Sequence, residues 1–241
     1  MNKILTVSGV SKNFGGFTAL SDINLDVFKG ERLGLIGPNG SGKTTLINCI
    51  SGSLKNDRGE IVFKNENLNG MAPHQRTRRG IARSFQIPRP FHSMTLVENL
   101  AVPLEYVTYR GLARKGQVKA EAEAILIDMG LGNKMNASCA GLSQVELRKL
   151  ELARAMAARP ELLISDEAMA GLSHAEVDEV LAILFRLSGT GITIIMIEHI
   201  MHAMMRFSER VVCLEAGKLI AQGEPTEIMK NPDVRRAYLG A

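Results

Sequence analysis

The chain has 241 residues, room for one large α/β domain or a core carrying an inserted lobe. Its 45% hydrophobic content with charge scattered along the chain excludes a disordered polymer, and the absence of tryptophan with only 5% aromatics leaves little for stacked single-stranded nucleic acid to lie on. A net charge of +4 suits a polyanion or an anionic membrane surface without choosing between them.

The N-terminus, MNKILTVSGV, lacks a long apolar core followed by a small-residue cleavage site, so no signal peptide is expected. The stretches ILTVSGVSKNF and RGEIVFKNENL are rich in β-branched residues and glycine and predict an antiparallel β layer. Between them, residues 32–36 form a short apolar run that predicts a buried strand. Gly37, Pro38, Asn39, Gly40, Ser41, Gly42, Lys43, Thr44 and Thr45 follow, with the spacing G-x-x-x-x-G-K-T. Glycines let the backbone turn tightly and present successive N–H groups to phosphate oxygens, and the helix that follows adds the positive end of its dipole. In that arrangement Lys43 meets the β- and γ-phosphates and the Thr44 hydroxyl holds Mg²⁺.

The basic stretch HQRTRRGIARSFQIPR carries Arg76, Arg78, Arg79, Arg83 and Arg89. A solvated helix face, or one lying near anionic lipid headgroups, accounts for it better than a nucleic-acid patch. Beyond it, residues 87–160 open on the irregular IPRPFHSM, continue as Ala/Glu/Lys-rich helical sequence and contain no convincing strand. The expected organisation is a single domain over residues 1–241, with a core from 1–86 and 161–241 and an inserted helical lobe at 87–160.

Near the end of the lobe lies GLSQVELRKLELARAM. Ser143 and Glu146 form an S-x-x-E capping box, in which Ser accepts from the N–H three residues on and Glu reaches back. The helix it opens has an apolar face of Leu147, Leu150, Ala153 and Ala157. Buried strands are next expected at 162–165, 192–197 and 211–214, with helical sequence between them, the pattern of a parallel sheet covered by helices. The first of these ends in Asp166 and Glu167, where one carboxylate can hold Mg²⁺ through water and the next can polarise an attacking water. His199 stands just past the second. The longest apolar run, residues 192–197, is far short of the roughly 20 residues a membrane span needs. Cys49, Cys139 and Cys213 have neither zinc-like spacing nor a disulfide framework and read as buried thiols.

In this order the pieces resemble the ATP-binding cassette (ABC) ATPases, over nearly the whole chain. GPNGSGKTT resembles Walker A and LLISDE Walker B with its catalytic Glu. Gln86 falls at the Q-loop glutamine, His199 at the switch histidine, AGLS (170–173) at the D-loop, and Phe14 where an aromatic residue stacks on adenine. Within the superfamily, IARSFQIPRPFHSMTLVENLAV, GKLIAQGEPTEI and NPDVRRAYLG are similar to the branched-chain amino acid, LivG-type, group. The resemblance implies a P-loop NTPase (RecA-like) α/β core with an antiparallel β layer and a helical subdomain. It implies ATP and Mg²⁺ as ligands, the ion being held by Thr44, Gln86 and, through water, Asp166. Lys43, Glu167 and His199 are the implied catalytic residues.

The implied assembly has two such ATPase subunits, as a hetero- or homodimer, beneath two transmembrane permease subunits at the cytoplasmic face of the inner membrane. A substrate-binding protein is an indirect partner and nucleic acid is not one. Gln86 marks the joint through which nucleotide state would reach the permeases, and the mixed apolar and Arg sequence beyond it suits an interface. Importers of urea or amides and non-transport ABC ATPases are the alternatives; the single cassette without sustained heptads speaks against the latter.

Three positions depart from the family pattern without removing a catalytic group: Ser165 before the Walker B Asp, Ala168 after its Glu, and Ser173 in the D-loop. The signature LSGGQ aligns with Leu142, Ser143, Gln144, Val145 and Glu146. In the family this segment closes over ATP held by the partner subunit. Here a carboxylate sits at the positive end of the helix dipole and a β-branched Val replaces a glycine. One expectation is an asymmetric dimer, in which ATP facing this weakened signature turns over slowly; the other is that slight refitting absorbs the change.

Overall fold

The computed structural model describes residues 2–84 and 88–239; Gln86 lies outside them. In chain order the elements are β1 (Lys3–Phe14), β2 (Phe17–Phe28), β3 (Arg32–Ile36), α1 (Lys43–Ser51), β4 (Arg58–Phe63), β5 (Glu66–Asn67), α2 (Pro73–Thr77) and β6 (Ile81–Ser84). Helices α3 (Leu96–Pro103), α4 (Gln117–Asp128) and α5 (Gln144–Ala157) follow. The chain then runs through β7 (Leu162–Asp166), α6 (His174–Gly189), β8 (Thr193–Ile197), α7 (Met201–Phe207), β9 (Arg210–Glu215), β10 (Lys218–Gly223), α8 (Pro225–Ile228) and α9 (Pro232–Leu239).

Two sheets result. One is four-stranded and antiparallel, in the order β2-β1-β4-β5, and the other has six strands in the order β10-β9-β3-β8-β7-β6. Strands β9, β3, β8, β7 and β6 run parallel, and β10 closes the edge antiparallel to β9. Side chains of the six-stranded sheet alternate between two apolar clusters, as the two-residue strand period requires. Leu163, Ile194, Met196, Val211 and Cys213 face one cluster, built with the helices α3 to α7. Leu162, Ile164, Ile195, Ile197, Val212 and Leu214 face the other, beneath the antiparallel sheet and α1. Burial on both faces is why these strands read as continuous apolar runs.

The expected α/β core and antiparallel layer are both present. Between β6 and β7 the described residues form helices and turns, and their apolar side chains Leu100, Leu126 and Leu150 join the same cluster as Leu163 and Ile194. The three cysteines are buried and unpaired. Two strands of the six-stranded sheet escaped the sequence reading. IARS (β6) is short and carries an arginine, and its pairing with β7 rather than any periodicity makes it a strand. KLIAQG (β10) is an edge strand that buries little on either face.

The basic stretch is corrected by the structure. Arg76 is 2% exposed and donates to the carbonyls of Cys49, Ile50, Leu68 and Met71, so it satisfies the C-terminal end of α1 rather than meeting solvent. Arg79 pairs with Glu66 on β5, and Arg83 turns inward to the end of β7. Among the described residues these arginines do not share one helical face, because α2 ends at Thr77 and the chain enters a strand four residues later.

Candidate functional site

Parallel strands bring their C-terminal ends to one edge of the sheet, where ligands of open α/β sheets bind. Register sets Leu35 beside Ile197 and Ile197 beside Asp166. The residues immediately beyond, Gly37 after β3, Glu167 after β7 and His199 after β8, therefore emerge together.

The loop from Gly37 to α1 is shaped by contacts only glycine allows. Gly37 has φ 150°, and a Cβ there would lie 2.2 Å from the Leu214 carbonyl oxygen. Gly42, the N-cap of α1 with φ 103°, would place one 2.7 Å from the Ala19 carbonyl oxygen. No acidic residue occupies the first turn of α1, so the positive end of its dipole is uncompensated. Lys43 Nζ donates to the Gly37 and Pro38 carbonyls at 2.7 and 3.0 Å. Burial pulls the Lys43 ammonium below its ordinary value, opposed by the charges of Glu167, Cys213 and Asp166. Thr44 is exposed and Thr45 half-buried, while Ser41 Oγ is buried with no hydrogen-bond partner among the described residues. The uncompensated helix end, the Lys43 ammonium and the Ser41 hydroxyl make a donor-rich cradle suited to a polyphosphate.

Across it stand the carboxylates. Glu167 follows β7 at φ 47°, a left-handed conformation rare for a non-glycine residue, and its N–H donates to the Ile197 carbonyl at 2.9 Å. The turn aims its carboxylate at His199, with Oε1 and Nε2 3.1 Å apart. Asp166 is the last residue of β7 and 5% exposed. Arg83 donates to Asp166 Oδ2 at 2.5 Å and to Asn48 Oδ1 at 2.7 Å, tying β6, β7 and α1 together. Sequence reasoning missed this role for Arg83; its strand residue spacing from Asp166 carries no signal until β6 and β7 are paired.

Glu198 was also missed. It is 2% exposed and accepts the Met169 N–H at 2.9 Å. Burial pushes its carboxyl up to about 7, aided by the nearby Glu167 charge and opposed by the Met169 hydrogen bond and by Arg148. Arg148 and Gln144, both on α5, donate to the Ala170 carbonyl. The segment after Glu167 is thus clasped between the end of β8 and the start of α5.

The capping box at the head of α5 forms as expected: Ser143 Oγ accepts from Glu146 N and the Glu146 carboxylate accepts from Ser143 N. Ser173 does the same for α6 with Glu176, so a serine in the D-loop serves as a helix N-cap, a role Asp fills equally well. Two parts of the weakened-signature argument change. Val145 is 8% exposed and packs into the main apolar cluster, so it does not bar an approach from outside. Glu146 pairs with Lys134 at 2.6 Å, which neutralises much of the charge that would repel a phosphate and, with the Ser143 N–H, holds its carboxyl below the usual range. Leu142 and Gln144 lie beside this cap, half-buried and exposed respectively. Phe14 is 50% exposed at the tip of the β1–β2 hairpin, opposite the more exposed Phe17, which the sequence reading passed over.

Fold and edge geometry together define a nucleotide-binding P-loop ATPase. The family model for ABC transporters matches residues 20–170, and that for the branched-chain amino acid ATP-binding cassette transporters matches residues 218–241. The high-affinity branched-chain amino acid transport ATP-binding protein LivG of Escherichia coli is 38% identical, covering 98% of both chains. BraF of Pseudomonas aeruginosa, of the same description, is 38% identical with the same coverage, and a probable LivG of Archaeoglobus fulgidus is 35% identical over 99% of this chain and 96% of its own. Among solved structures, the ADP conformation of MJ1267, an ATP-binding cassette of an ABC transporter, superimposes with a TM-score of 0.90 at 30% identity over the full length of both chains. The chain belongs to the ATP-binding cassette family of ABC transporters, and it is an ATPase.

Proposed function

We propose that this protein is the ATP-hydrolysing subunit of an importer for branched-chain or closely related amino acids, acting through separate permease subunits. The observation that carries the reading is the meeting, at one sheet edge, of the Gly37–Lys43 cradle with the Glu167–His199 pair. The amino-acid assignment is supported by relatives 38% identical over 98% of the chain and by the C-terminal family match.

Catalysis of this kind is mostly positioning and charge stabilisation. The loop amides from Gly40 to Thr45 and the Lys43 ammonium hold the β- and γ-phosphates, and Phe14 offers its face to adenine. Glu167 orients a water and takes its proton, while His199, fixed by its contact with Glu167, faces the γ-phosphate. Hard oxygen donors suit Mg²⁺, and the exposed Thr44 hydroxyl and, through water, the Asp166 carboxylate would hold it, with Gln86 as a further donor outside the described residues. An ion held there would supply charge neutralisation to the phosphate oxygens. Arg83 holds the Asp166 carboxylate in a single orientation.

The signature segment, Leu142, Ser143, Gln144 and Glu146 with Val145 packed beneath them, then faces nucleotide on a second ATPase subunit. A related cassette, MJ0796, 25% identical with a TM-score of 0.83, has been solved as a dimer bound to ADP and Pi. A peripheral place at the cytoplasmic face of the inner membrane is supported by the likeness to transport ATP-binding proteins; no helix among the described residues is long and apolar enough to cross a membrane. A cleft of about 330 Å³ beside β6, lined by Arg83, Arg89, Val102, Tyr106 and Arg154, suits a docked permease helix; Tyr106 is 65% exposed at its rim. A substrate-binding protein would deliver solute on the far side.

The test is reconstitution with a pair of permease subunits of the branched-chain amino acid type. Glu167→Gln lowers ATP turnover at least about 100-fold while ATP binding persists, as expected for loss of a general base, and labelled leucine uptake falls in parallel. Wild-type turnover in that variant refutes the site; normal turnover without leucine uptake, but with uptake of urea or an amide, refutes the solute.

A further inference from the structure

We infer that Tyr238, near the end of α9, is a positioning residue for the phosphate loop. The Gly37 N–H donates to the Tyr238 hydroxyl at 2.7 Å, across 201 residues of sequence. The carbonyl of the same glycine accepts from Lys43 Nζ at 2.7 Å. Gly37 is thus held on one side by the C-terminal helix and on the other by the lysine that meets phosphate. Because its φ of 150° is open only to glycine, this residue has wide conformational freedom, and two opposing hydrogen bonds select one geometry for the entry of the loop.

The terminal segment is built for this placement. Asn231 Oδ1 accepts from Asp233 N and Val234 N, capping a helix whose first residue is Pro232. Val234, 3% exposed, anchors the helix in the main apolar cluster beside Ile228. Tyr238 lies four residues further on and so on the same helix face, over Gly37. Its phenol is 40% exposed, and burial of the remainder raises its pKa against the lowering effect of the Gly37 bond. Beside it a cavity of about 230 Å³ is bounded by Met201, Met229, Val234, Arg235 and Tyr238. Met201 comes two residues after His199, so the same helix borders both the cradle and the segment leaving the switch histidine. A phenylalanine ring at position 238 would pack equally well; the polar contact to Gly37 is what packing leaves unexplained.

The inference rests on the reading of Gly37 to Thr44 as the phosphate cradle, and the experiment separates the two. Tyr238→Phe keeps the ring and removes the hydroxyl. In the intact chain, affinity for a fluorescent ADP analogue falls roughly 3- to 10-fold, the value of one net hydrogen bond, and KM for ATP rises by the same factor while kcat changes less than about 2-fold. The chain has three tyrosines and no tryptophan, so phenol absorbance reports directly: ADP shifts the alkaline titration of one tyrosine in the wild type and of none in the variant. Unaltered ADP affinity in Tyr238→Phe, or an ADP-induced phenol shift that survives in it, overturns the inference. So does an equal loss of thermal stability with and without ADP, which marks packing alone. Lys43→Ala is the control: its loss of ADP binding upholds the cradle whatever Tyr238→Phe does, and its retention of wild-type affinity brings down both.

Discussion

Replacing Glu198 with glutamine removes a buried ionisable group while keeping an oxygen for the Met169 N–H. The carboxyl is raised from 4.5 to about 7 in the folded chain. Below the lower value both folded and unfolded chains hold the proton. Between the two values the folded chain keeps it and the unfolded chain has released it, so stability falls as pH rises through this window and levels off above about 7. A gap of about 2.5 units at 1.36 kcal/mol each is worth about 3 kcal/mol. Glutamine does not titrate, so Glu198→Gln gains about 3 kcal/mol relative to the wild type on going from about pH 4.5 to about pH 8. Urea unfolding of both proteins without nucleotide, at several pH values across that window, measures the difference directly. A difference that stays constant with pH means that the carboxyl titrates normally, and the account of its burial beside Glu167 is then wrong.

Arg76→Met strips four carbonyls of a charged donor; at about 1.5 kcal/mol for each of the two strongest bonds the loss is at least about 3 kcal/mol, read by circular dichroism as a fall in Tm of about 6–12 °C. Val145→Gly removes a buried side chain from the first turn of α5 and costs about 2–3 kcal/mol, so thermal unfolding drops even though a glycine returns to the signature. Glu146→Gln breaks only the pair with Lys134 and costs less than about 1 kcal/mol. With the charge already neutralised by Lys134, its steady-state ATP turnover changes less than about 2-fold, and a 10-fold rise would restore the asymmetric-dimer argument.

Local chemistry was legible in the sequence wherever it lay within a few consecutive residues. The glycine spacing before Lys43, the apolar runs ending in Asp166 and Glu167 or just before His199, and the Ser143–Glu146 cap each follow from steric, helical or strand periodicity that the chain carries on its own. The fold class followed too, because strands buried on both faces alternating with helical sequence admit few other solutions. What tertiary structure alone decided are the contacts between distant residues. Arg83 reached Asp166 only once β6 had paired with β7, Arg76 became a helix cap only once α2 had folded against α1, and Lys134 met Glu146 across a turn. Val145, met in the sequence as a β-branched residue in place of a signature glycine, points inward in space, because helix phase rather than residue order determines which side chain meets the core. Tyr238 and Gly37 are 201 residues apart, and no local propensity records a hydrogen bond that exists only after the last helix docks.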